Sequence, residues 1–230
     1  MRTWLAVLIA STLMLTMPTS QTSVAEAKLV DFPKTSILYQ SITHDSPLLN
    51  DIIVLPAQSF DEQEAAAMIG RIATLPRSIL SKLNRNHITI KLFTGKLTDN
   101  PTARSLTGKK PRGYKTAITW DDVPGIGGGK VVLVKIGSSE KGKGHGSVNL
   151  ELHELAHSLD NYVFMNISQT KAFEQAWEQE HNMLFPENSY FQYPEEYFAE
   201  TFAMYYLNKD TNAQLQQKAP KTFEIIKNLK

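Results

Sequence analysis

The chain has no cysteine, no excess of either charge and no apolar run long enough to span a bilayer. Each absence removes a class of explanation. Without cysteine there is no disulfide, no thiolate nucleophile and no thiolate metal ligand, so any metal chemistry must rest on His, Asp and Glu. Lys and Arg number 24 against 23 Asp and Glu, which leaves no basic field to attract nucleic acid or an anionic membrane. Residues 4–17 form an apolar run shorter than the roughly 20 residues a spanning helix needs, and no second one follows. Internal repeats and low-complexity blocks are also missing.

What is there begins with an export pattern. Met1-Arg2 is positive, the apolar run follows, and Ala25-Glu26-Ala27 is a small-x-small cleavage pattern. Residues 1–27 therefore read as a signal peptide, and the mature chain is expected to be secreted, extracellular and not inserted in a membrane. Residues 28–230 suit a single domain with its own core, in the expected form of a monomer. Residues 28–50 lack periodicity and are expected to form a loose arm.

Short strands are expected at 51–55, 87–93, 116–120 and 131–136, with helices at 61–74 and 76–84, a loop over 98–114 and a glycine-rich turn at 124–129. Beyond Gly146 the pattern is helical, at 148–165, 170–183, 194–208, 211–218 and 220–229. Strands and helices segregate along the chain, so the fold class is α+β, mainly α, with a small N-terminal sheet and a helical C-terminal half.

The chemistry stands out in the helix at 148–165. His153-Glu154-Leu155-Ala156-His157 is H-E-x-x-H. On a helix, residues four apart share a face, so both imidazoles can reach one ion, and Glu154 can take the proton of an attacking water. A catalytic zinc site uses three protein ligands and keeps one position open. The third ligand is not supplied by a longer motif, because Asp160 and Val163 stand where Gly and His would extend it. His44, His87, His145 and His181 read as ordinary surface or loop residues. A carboxylate is the better candidate. In the helix opening at Pro194, Glu196 and Glu200 share a face, and from Tyr197 to Leu207 only Glu200 is charged. An acid in so apolar a helix is costly unless a cation or donor meets it. Glu196 is read as the third ligand and Glu200 as the group that orients a ligand imidazole. The plainer alternative is that Glu195 and Glu196 are acids favoured by a helix N-terminus. Asp160 lies on the metal helix face, where simple hydrogen bonding is an equal reading.

His153 to Asp160, H-E-L-A-H-S-L-D, together with Tyr193 to Phe202, Y-P-E-E-Y-F-A-E-T-F, resembles the secreted bacterial Pro-Pro endopeptidases, relatives of the anthrax lethal factor catalytic domain. Further matching stretches lie at 93–99, 119–128, 141–145 and 149–153. The resemblance implies a zincin-type metallopeptidase domain with one zinc ion per chain on His153, His157 and Glu196, Glu154 as base and Glu200 behind a ligand. It also implies that Tyr190 stabilises the oxyanion, with Tyr193 as the fallback, since the segment at 191–194 is one residue short of the family pattern. Trp120 matches a substrate-site tryptophan. Glu195 matches an acid that pairs with a lysine, but that lysine's position is Ile118, so the ion pair is expected to be missing. Gly128, Gly129 and Lys130 fall in the loop resembling the family's specificity loop, with Lys130 expected to place a charge beside the substrate. The implied substrates are proline-rich extracellular or cell-surface proteins. A lethal-factor-like protease of other specificity and a non-enzymatic surface-binding protein on the same fold remain the alternatives.

Overall fold

The computed structural model describes residues 26–43, 46–112 and 117–229. Among these, five strands form one mixed sheet: β1 (Ala27–Lys28), β2 (Ile53–Leu55), β3 (Thr89–Phe93), β4 (Gly125–Ile126) and β5 (Val131–Lys135), in the order β1-β2-β3-β5-β4. The three central strands are parallel, with Ile53 opposite Ile90 and Ile90 opposite Val132. Both edges are antiparallel, Ala27 facing Leu55 at one and Gly125 facing Val134 at the other. Ile53, Leu55, Ile90, Leu92, Val132 and Val134 are all fully buried, which is what β-branched and leucine-rich strands covered by helices require.

Helices α1 (Ile37–Ser41), α2 (Glu62–Ala73) and α3 (Arg77–Arg85) precede β3. The remainder is α4 (Leu150–Tyr162), α5 (Lys171–Leu184), α6 (Pro194–Leu207), α7 (Lys209–Lys218) and α8 (Pro220–Lys227). The α+β, mainly α reading therefore stands. Asn149 caps α4, its side chain accepting from the Leu152 N–H at 3.0 Å, and Pro194 opens α6 at a position where no N–H is needed. Helix α4 lies between β5 and α6, its leucines at 150, 152, 155 and 159 buried on both sides. Helix α6 is wrapped on nearly every face, with Tyr197 to Met204 buried, so its one interior charge, Glu200, must be met inside the protein. No helix among the described residues is long and apolar enough to cross a membrane.

Three expectations are corrected here. The segment at 28–50 is not a loose arm where it is described: β1, α1 and two single turns plant Leu29, Leu38 and Leu49 in the main core. These pieces are too short for any period to be legible. The turn at 124–129 contains β4, whose glycine suppresses strand propensity although its pairing with β5 is clear. Residues 117–120 are not a strand, because Ile118 and Trp120 pack as loop residues against Phe93, Leu97, Val123 and Leu133. The remainder of that expected strand, at 116, and residues 1–25 of the expected signal peptide lie outside the described residues.

Candidate active site

Helix geometry brings His153 and His157 one turn apart on the face of α4 that looks toward α6. Their Nε2 atoms lie 3.3 Å from each other. The Glu196 Oε2 atom lies 3.4 Å from the first and 3.3 Å from the second. Three ligand atoms therefore converge on one point, and this is the His-His-Glu cluster with metal-binding spacing among the described residues. Glu196 Oε2 is buried and, although both Nε2 atoms lie within ion-pair distance, makes no well-aligned hydrogen bond. A buried carboxylate oxygen without a donor is costly, and two neutral imidazoles cannot both donate to each other. A cation resolves both problems, so the residues present fit a metal.

The tautomer is set from behind. His153 Nδ1 lies 3.1 Å from Glu200 Oε2, and Glu200 Oε1 accepts the Val148 N–H at 2.9 Å. With Nδ1 donating to Glu200, His153 Nε2 is free to ligate. Burial disfavours charge on His153, but the carboxylates of Glu196 and Glu200 outweigh it and raise its pKa to about 10. Burial likewise acts to raise Glu196, yet the two histidines hold its carboxyl far below the usual carboxylate range. Without the ion, a proton on His153 stands where a cation would. Glu154 projects from the same helix into the cleft. Burial raises its pKa, partly opposed by His153 and His157, which suits a group that must accept a proton.

The cluster lies in a cavity of about 910 Å³ lined by Glu154, Trp120, Tyr190 and the backbone of β4 with the following glycines. The glycines are there because the strand lies directly on α4. A Cβ on Gly127 would sit 1.9 Å from the Glu154 carbonyl oxygen, and one on Gly125 2.9 Å from Glu154 Cγ. Gly128, at φ +80°, donates its N–H to Ser158 Oγ at 3.0 Å and accepts from Asn161 Nδ2 at 2.8 Å. Gly127→Ala must push this edge off the helix. We expect a cost on the order of 1–3 kcal/mol, read as a lower melting temperature together with at least a tenfold fall in kcat/KM.

The remaining sequence-derived residues divide. Trp120 lines the cavity while its flank rests on the small core under the sheet. Tyr190 is placed in the cavity, its ring stacked on His153 at 6.5 Å between centroids, whereas Tyr193 faces outward beneath Arg112. Gly129 turns the chain into β5 and is not part of the cavity wall. Lys130 is corrected: its ammonium donates to the Asn86 carbonyl at 2.6 Å and lies over Tyr162, away from the cleft. Asp160 binds the Ser168 hydroxyl and its N–H, at 3.1 Å for the latter, and so holds the chain after α4.

The missing partner of Glu195 is also corrected. Ile118 leaves no lysine, but Arg112 donates to Glu195 at 2.7 Å, approaches Glu196 at 3.7 Å and stacks over Tyr193 at 4.3 Å. The glutamates raise its pKa. Sequence reasoning missed it because 83 residues separate the pair. The pair is solvent-exposed and worth about 0–1 kcal/mol. Arg112→Ala should therefore change kcat/KM by roughly fivefold at most and weaken its dependence on salt, a comparison made at low and high ionic strength. His145 is not an ordinary loop residue either. It lines the cavity, with Nε2 against the Ser138 carbonyl at 2.7 Å and Nδ1 against Ser147 Oγ at 2.6 Å, and burial lowers its pKa. Ser147 then donates to an unprotonated Nδ1.

Fold and site together define a peptidase of the zincin type, with its two histidines on the buried helix α4 and its carboxylate on α6, which packs against it. Residues 41–229 match the family model described as anthrax toxin lethal factor, N- and C-terminal domain. The chain is 45% identical over 190 residues to a Pro-Pro endopeptidase of Clostridioides difficile (strain 630), covering 82% of this chain and 86% of that protein. It is 40% identical over 187 residues to a Pro-Pro endopeptidase of Paenibacillus alvei, covering 80% and 86%. The solved structure of the Paenibacillus alvei Pro-Pro endopeptidase PPEP-2 superposes with a TM-score of 0.76 at 40% identity, over 80% of this chain and all of that one. The chain belongs to the Pro-Pro endopeptidase family of lethal-factor-like peptidases.

Proposed function

We propose that the chain is a secreted zinc endopeptidase that hydrolyses Pro-Pro bonds in proline-rich extracellular proteins, with residues 28–230 as its single catalytic domain. The observation that carries the reading is the buried Glu196 oxygen, without a well-aligned hydrogen bond, converging with two imidazole nitrogens. Two nitrogens and one oxygen are a zinc-type donor set, with His153, His157 and Glu196 as the holders. Zinc, when bound, would polarise the scissile carbonyl and acidify a water. The chain's own residues do the rest. Glu154, raised toward neutrality by burial, accepts the water's proton and delivers it to the leaving nitrogen. Tyr190 is the candidate donor to the developing oxyanion, from its place over His153. All of these groups belong to one chain, so the reading requires no second copy and fits a monomer.

The cleft also suits proline. Strand β5 is paired on both sides and offers no free edge, and the strand bordering the cleft is the two-residue β4. So short an edge offers few backbone hydrogen bonds, and proline has no N–H to give. Selection by ring shape against Trp120 replaces a long ladder. Cleavage of a proline-rich peptide library, read by mass spectrometry, tests this. Cuts confined to Pro-Pro bonds support the reading, and cuts spread over other bonds refute the specificity.

Metal uptake should release protons. His153 holds its proton below a pKa of about 10, and a ligand must lose it to bind an ion. Zinc affinity should therefore rise with pH through the neutral range and fall on acidification. Titrating zinc calorimetrically into the metal-free protein in buffers of different ionisation enthalpy would measure the released protons. Identical heats in all buffers would contradict it.

A further inference from the structure

We propose that export processing cuts the chain between Ala25 and Glu26, so that the mature protein begins at Glu26 and keeps two residues that a cut after Ala27 would remove. The inference rests on the export reading above. A small-x-small pattern fits two registers here, Ser23-Val24-Ala25 and Ala25-Glu26-Ala27. The pattern alone does not choose between them; the contacts that Glu26 and Ala27 make in the folded domain favour the first.

Glu26 and Ala27 belong to the folded domain. Ala27 pairs with Leu55 in the antiparallel edge of the sheet, and Lys28 with Val54. The Glu26 carboxylate is ion-paired with the ammonium of Lys91. Lys91 lies in β3, the middle strand of the sheet, with its side chain only 11% exposed. Glu26 is the acid that meets it among the described residues. A chain starting at Lys28 leaves that nearly buried ammonium without its carboxylate, an arrangement proteins avoid. It also removes the Ala27 half of β1, leaving Leu55 of β2 without its antiparallel partner at the sheet edge. Cutting one register earlier keeps both features. The step consumes one water, leaves a carboxylate on Ala25 and frees the α-ammonium of Glu26.

The two registers treat Ala27 differently. In the proposed one it is the second residue of the product, where a large side chain is tolerated. In the other it is the residue before the cut, where only a small one is accepted. The test is expression of the full chain in an exporting bacterial host, with intact mass and N-terminal sequencing of the released protein, for the wild type and for Ala27→Leu. The proposal expects Glu26 as the first residue in both, at unchanged yield. A first residue of Lys28, or loss of processing in Ala27→Leu alone, overturns the cleavage site while leaving export intact. Uncleaved chain retained in cells for both overturns the export reading and the proposal with it. Glu26→Ala in the same host supplies the structural check. It should be cut at the same place yet melt at a lower temperature, and Lys91→Met in that background should restore part of the loss; no change in melting would remove the Lys91 argument.

Discussion

Glu154→Gln should retain its fold and the zinc-binding capacity of the His-His-Glu cluster, and lose on the order of 10²-fold to 10⁴-fold in kcat/KM on a Pro-Pro peptide, the range expected when a positioned proton acceptor is removed. The substitution conserves size, so the close approach of Gly125 and Gly127 to this residue is undisturbed. What changes is basicity alone. Burial raises the Glu154 pKa while the neighbouring histidines oppose it. A carboxyl is a base only above its pKa, so wild-type kcat/KM should fall as pH drops through a value above the ordinary carboxylate range. The residual activity of the Gln variant should lack that acidic limb. Equal pH profiles would mean that another group accepts the proton.

Glu196→Ala should lose the metal as well as the activity. It removes one of three convergent ligand atoms and leaves His153 and His157 facing each other at 3.3 Å with nothing to bridge them. Glu200→Ala is the informative comparison. Glu200 sits behind His153 and also binds the Val148 N–H, so its loss frees the ring and strands a backbone donor without touching the ion's position. Loss of such an outer partner costs roughly 10–100-fold in metal affinity. Excess zinc should therefore rescue Glu200→Ala and fail to rescue Glu196→Ala at the same concentration, with zinc content after dialysis as the readout.

Much of this was legible in the sequence because helix geometry is local. The four-residue spacing of His153 and His157 places both on one face wherever the helix lies, and an apolar α6 with a single interior acid implies a buried partner for Glu200. The sheet's central strands follow from their apolar runs. What was hidden depends on long-range contact. Arg112 meets Glu195 through a loop whose composition says only that it is a loop. The glycines at 125 and 127 read as a turn, although their cause is the close approach of α4, whose Glu154 and Leu150 side chains crowd position 125 and whose backbone crowds position 127. The order in residues 28–43 and 46–50 comes from single leucines dropped into a distant core, which leaves no period to detect. Tyr190 and Tyr193, three residues apart, differ only in which way a short turn directs them.

The most direct test is zinc titration of the metal-free protein, following hydrolysis of an internally quenched Pro-Pro peptide alongside a copy with alanine at either proline. The account predicts that activity on the Pro-Pro peptide rises linearly to one ion per chain and then levels, with neither alanine peptide cut at a comparable rate. Full hydrolysis by zinc-free protein, or equal cleavage of the alanine peptides, would contradict it.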